Sequence, residues 1–113
     1  MRFLLTLLLA VPLCAQEAAP KRERPAPKNL KVLQAADLMP VMRMSTAGLG
    51  VQCEFCHVAD RSSDEKPQKV MGRMMMAMMH DVNSKFPDGK QHVTCYTCHR
   101  GAQQPLTAAP AAP

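Results

Sequence analysis

The sequence contains no tryptophan, one tyrosine and three phenylalanines in 113 residues. Large aromatic side chains each bury roughly 150–250 Å² and dominate most cores, so a core of the ordinary kind is excluded. Long apolar runs are also missing. The best candidate, Phe3 to Val11, falls short of the roughly 20 residues that span a bilayer. Basic residues are nowhere interleaved with aromatics, which excludes the stacking platforms of single-strand nucleic-acid binders. The net charge of +5 gathers instead in Lys21, Arg22, Arg24, Lys28 and Lys31, a pattern that reads as a solvated linker.

The chain divides by composition. Residues 1–15 have a basic start at Arg2, an apolar stretch and a small residue, Ala15, where cleavage of a secretory signal is expected. Cys14 would carry lipid in a lipoprotein signal, but the large Leu13 before it disfavours that, so membrane contact is expected only if Cys14 is lipidated. The predicted location is periplasmic. Residues 16–28 are rich in Ala, Pro, Lys and Arg and read as a flexible linker, and residues 103–113 as a disordered Ala/Pro tail. This leaves residues 29–102 as the folded domain. A segment so short seldom closes a core without disulfides, a metal or a cofactor.

What is present answers that shortage. The four cysteines outside the signal fall in one pattern used twice, Cys53-Glu54-Phe55-Cys56-His57 and Cys95-Tyr96-Thr97-Cys98-His99. Cys-x-x-Cys-His is the attachment signature of haem c. Two thiols add across the two vinyl groups of one porphyrin, and the adjoining histidine is held under the iron. At this composition only about 0.008 such matches are expected by chance. A tetrahedral zinc site or two disulfides would use the cysteines but leave the paired histidines unexplained. Two covalently bound haems are therefore predicted, with His57 and His99 as iron ligands. Buried at roughly 25 cal/mol per Å², the porphyrins would supply much of the missing core.

Of ten methionines, the nine after Met1 supply candidate sixth ligands, since a thioether suits a His-ligated haem. Asp37 is a fair N-cap for a first helix, along which Leu38, Val41, Met42 and Ser45 fall at helical spacing, and Gly48 or Gly50 ends it. A second helix is predicted from Pro67 through Lys85, preceded by the capping residues Ser62, Ser63 and Asp64 and stopped by Phe86-Pro87 and the Asp88-Gly89 turn. Met71, Met75, Met78 and Val82 share one of its faces, and Met74, Met76 and Met79 widen it. The fold class predicted is mainly α, a small multihaem cytochrome with a helix–turn–Cys-x-x-Cys-His unit used twice. From spacing alone, Met39, Met42 and Met44 are equivalent candidates in the first helix, as are the six methionines of the second. His92 reads as a surface or propionate contact, and His80 as a solvated residue.

The stretches Leu38-Met39-Pro40-Val41-Met42, Leu49-Gly50-Val51-Gln52 with the first motif, and Val93-Thr94 with the second motif and Arg100-Gly101 closely resemble the cytochrome c subunit of photosynthetic reaction centres. Gly72-Arg73-Met74-Met75 and Asp81-Val82-Asn83 share the resemblance, which covers about Leu30 to Pro105. It implies axial methionines on the helix before each motif, hence Met42, eleven residues before Cys53, and Met75, twenty before Cys95. Met74, Met78 and His80 stand as alternatives at the second site. The family carries two such haem pairs and this chain one.

The expected function is electron transfer by a periplasmic diheme c-type cytochrome, with no catalytic residue. Redox proteins of unnamed identity are the expected partners, with a membrane complex such as a reaction centre among them, and no nucleic acid. The alternative is a small diheme enzyme such as a peroxidase with one open iron. A third reading, Cu(I) binding by the Met71–His80 segment, rests on clustered thioethers that also pack a haem pocket.

Overall fold

The computed structural model describes residues 25–111. The expected signal segment, Cys14 and the first part of the linker lie outside the described residues. Helix α1 spans Leu38–Leu49, α2 Pro67–Ser84 and α3 Cys95–His99, with a 3₁₀ turn at Cys53–Phe55 between α1 and α2. The chain is mainly α, with no strand among the described residues, as its periodicity predicts.

Helix α1 ends where Gly50 adopts φ 66°, a left-handed conformation that glycine takes without a Cβ penalty, and its N–H donates to the Thr46 carbonyl. Asp37 occupies the N-cap position with near-helical backbone, φ −88° and ψ −10°, and its side chain makes no capping bond. Pro67 opens α2 as predicted, its missing N–H being one that has no partner inside a helix anyway. The helix stops at Ser84, one residue short of the predicted end.

Ser62, Ser63 and Asp64 do not cap α2; Lys66 is the N-cap and makes no side-chain bond. Ser62 instead turns onto Asp60, donating from its N–H at 2.9 Å and its hydroxyl at 2.7 Å. Asp64 is drawn into an ion cluster with Lys31, Lys69 and Arg73, at 3.0, 3.2 and 2.7 Å. The capping reading fails there because three cations offer the carboxylate more than a backbone N–H does. This cluster holds the segment before α1 against the first turns of α2.

Helix α3 is the second Cys-x-x-Cys-His motif itself, closed by a reciprocal Thr94–Thr97 capping box. It packs on α1, the one helix pair in extensive contact among the described residues. Gly48 is the closest point and the only buried residue of α1. A Cβ there would lie 2.6 Å from Cys95 Cβ and 2.8 Å from the Tyr96 nitrogen. The helix that leads the first motif thus docks on the second. No hydrophobic side chain among the described residues is buried, so protein atoms alone do not form a core.

Candidate cofactor site

The first motif wraps into a single turn. Cys56 and His57 donate their N–H groups to the Cys53 carbonyl at 3.3 and 3.0 Å, which brings two thiols and an imidazole to one short stretch of backbone. Burial pushes the Cys56 thiol up, against the opposing charge of Lys66. His57 is pushed down, by burial first and then by Lys69, Arg61 and Arg73, with the Arg61 backbone opposing. That favours the neutral imidazole, the form that ligates a metal. His57 Nδ1 is sealed from water and has no hydrogen-bond partner.

The Arg61 carbonyl also receives a donor from α2. Lys69 Nζ donates to it at 2.9 Å and to the Ser63 carbonyl at 2.6 Å. Lys66 Nζ donates to the Glu54 carbonyl inside the motif. Two lysines from the start of α2 therefore hold the backbone on both sides of His57.

The second motif is built differently. One helical turn carries Cys95 and Cys98, with His99 directly after. His99 Nδ1 lies 3.1 Å from the Ala102 carbonyl, which can only accept, so Nδ1 carries the proton and Nε2 is the nitrogen that could ligate a metal. Arg100 then turns left-handed at φ 52° and Gly101 at φ 82°. From α1, Ser45 Oγ approaches Cys95 Sγ at 3.8 Å.

Asn83, at the end of α2, fixes the approach to this motif. Its Oδ1 accepts the N–H groups of His92 and Val93, both at 2.8 Å, while Nδ2 donates to the carbonyls of Val93 at 2.7 Å and Met79 at 3.0 Å. The His92 ring stacks on Phe86, centroids 4.1 Å apart, and meets the Asp88 carboxylate at 2.9 Å. His92 is thus an exposed residue held by a protein carboxylate, in keeping with the surface contact expected of it.

The methionines of α2 divide by face. Met71, Met74, Met75 and Met78 are exposed in one stripe with Val70 and Val82. Met76 and Met79 are half-buried on the other side, where Arg73 and Asn83 make their bonds. His80 lies off the stripe, in a shallow cleft with Phe86 and Gln91. Met42 is half-buried on α1, one turn before Ser45.

These residues fit a haem at each motif. All four thiols are free, and no three His, Cys, Asp or Glu side chains converge as metal ligands among the described residues. A shared zinc site and disulfides both leave that arrangement unused. The exposed thioether stripe, the absent core and an imidazole after each thiol pair are what a covalently held porphyrin requires.

Spacing alone did not reveal Lys69, Asn83 or Gly48 as parts of the site. Their roles depend on partners distant in sequence, and the one local signal was a glycine inside the helical pattern at position 48.

Residues 26–109 match the family model described as the photosynthetic reaction centre cytochrome C subunit. Paired thiols, each followed by histidine on a helical scaffold, define a c-type cytochrome. Within that class the chain belongs to the reaction-centre cytochrome c subunit family. It is 35% identical over 95 residues to cytochrome c-554 of Chloroflexus aurantiacus, a match covering 75% of this chain and 23% of that one. Reaction-centre cytochrome c subunits of Rubrivivax gelatinosus and Thermochromatium tepidum are 43% and 42% identical over 47% and 50% of this chain. The matches cover 15% of each of those two proteins, so the chain spans less than a quarter of the length of all three relatives. No solved structure matches it. Among the described residues, no helix is long and apolar enough to cross a membrane.

Proposed function

We propose that this chain is a periplasmic diheme electron carrier. Cys53 and Cys56 hold one haem c with His57 on its iron, and Cys95 and Cys98 hold the other with His99. Met42 and Met75 supply the sixth ligands. Six-coordinate iron leaves no open position for peroxide, which sets the reading apart from a diheme peroxidase. Bound in this way, each haem supplies a one-electron couple; the chain supplies ligands, spacing and a dry surround. Redox proteins serve as donor and acceptor, and a photosynthetic reaction centre is the membrane complex that its relatives' names suggest.

The observation that carries the reading is the repeated thiol-pair-and-histidine unit, with every thiol free and the family match spanning both copies. The experiment is export from a host that matures c-type cytochromes, followed by intact mass and an optical spectrum. Two added haem masses and a low-spin ferrous α-band are expected. A polypeptide of its own mass alone defeats the proposal, and a high-spin iron that turns over peroxide replaces it with the enzyme.

A further inference from the structure

The two attachment histidines repeat in sequence but not in surroundings. His99 Nδ1 faces the Ala102 carbonyl at 3.1 Å, whereas His57 Nδ1 is buried without a partner. A ligating imidazole that donates its far N–H to a carbonyl gives more electron density to the metal. That stabilises ferric iron at His99 relative to His57.

Charge acts in the same direction. Lys31, Lys69 and Arg73 gather on a single carboxylate, Asp64, leaving two positive charges in excess. The side chains of Lys69 and Arg73 are only 11% and 16% exposed, so solvent screens them weakly. The remaining charged pair near the first motif, Arg61 with Glu54 at 3.6 Å, is solvent-exposed and self-compensating. Around the second motif, Arg100 is exposed and His92 is spent on Asp88. Weakly screened positive charge favours the reduced, less positive iron. The bond from Lys69 to the Arg61 carbonyl also fixes its charge beside the segment that follows His57.

We infer that Lys69 is a positioning and charge-setting residue that holds the haem at His57 at the higher potential, so that electrons run from the His99 haem to the His57 haem. The inference rests on the two-haem reading above. With both haems bound, a single electron would pass from iron held by His99 to iron held by His57, one oxidised and the other reduced. No bond or proton moves.

The test is optical redox titration of the mature two-haem protein, with each haem assigned by its through-space NMR contacts to Phe55 or Tyr96, the residues between its own cysteines. The Phe55-side haem should have the higher midpoint. Lys69→Gln, which keeps a hydrogen-bond donor and removes the charge, should lower that midpoint alone. The equilibrium constant for passage from the second haem to the first then falls on the order of tenfold, the scale of one partly buried charge. Lys69→Arg should restore it. Unmoved midpoints, equal shifts of both, or a higher potential on the Tyr96 side overturn the inference. If Lys69→Gln does not accumulate, Arg73→Gln removes a second cation without touching the Lys69 carbonyl bonds. A smaller fall in the same midpoint supports the inference, and no fall overturns it. Intact mass separates the two levels: fewer than two haems defeats both readings, and two haems with unmoved midpoints defeats this one alone.

Discussion

The N–H of Gly101 donates to the carbonyl of Gly48 at 2.8 Å, joining the end of the second haem motif to the helix that leads into the first. Fifty-three positions apart in sequence, these glycines let two backbones approach to hydrogen-bond distance. The second motif is thereby tied to α1.

Gly48→Ala is expected to loosen that joint. The added methyl would meet Cys95 Cβ at 2.6 Å and the Tyr96 nitrogen at 2.8 Å, atoms of backbone and near-backbone that cannot turn aside. Overpacking of this kind costs about 1–3 kcal/mol. A lowered denaturant midpoint of the mature protein is the measurement, and an unchanged midpoint would mean that the helices do not meet as closely as described.

Asn83→Ala should also weaken the protein, because one carboxamide serves four backbone partners across Met79, His92 and Val93. The groups left behind are partly exposed, so a loss of about 1–3 kcal/mol is expected rather than four full bonds. Asn83→Asp keeps the acceptor for His92 and Val93 and loses both donations, and should fall between the two. Urea melts of the three proteins give the order, and equal values for Ala and Asp would refute the acceptor's role.

Stability should depend on acid through Asp64. Its bonds to Asn29 and Lys31, and then to Lys69 and Arg73, hold this carboxyl well below the usual carboxylate range. A group depressed in the folded state stabilises it above the unfolded pKa, near 4, and that contribution drains away as pH falls toward the folded value. The urea midpoint of the native protein should therefore decline progressively below about pH 4. Asp64→Asn should show a flatter profile over the same range; matching slopes in the two proteins would remove Asp64 from the account.

Replacement of the proposed thioethers tests ligation directly. Met42→His should lower one midpoint potential and Met75→His the other, with both haems still attached, since imidazole in place of thioether lowers the potential of a His-ligated haem. Met78→Leu should leave both spectra low-spin. Loss of the low-spin band in that variant, with Met75→Leu unaffected, would move the second ligand by three residues along the same stripe.

The ends of the helices were legible in sequence because local chemistry sets them: Gly50 must turn left-handed, and Pro67 can begin a helix but not continue one. The proposed attachment residues stand out in sequence for the same reason, a spacing that suits one porphyrin. Three features were not legible. That α1 docks on the second motif is a pairing between distant segments, to which helical periodicity is blind. Asp64 carries the residue type of a cap and becomes an ion hub because Lys31, thirty-three positions away, reaches it along with Lys69 and Arg73. The second motif is a helix and the first a tight turn, although two cysteines and a histidine recur at the same spacing. Thr94 and Thr97 close a capping box on one, and no equivalent pair flanks the other.

Because no hydrophobic side chain among the described residues is sealed from water, the two-haem reading implies a polypeptide with too little cohesion of its own to wait, folded, for its prosthetic groups. Thioether formation must then act on a slack chain, and the architecture condenses around what has been attached. A cell deprived of haem would accumulate no empty form of this protein. It would degrade a loose strand, and shortage would register as missing protein rather than as a colourless one.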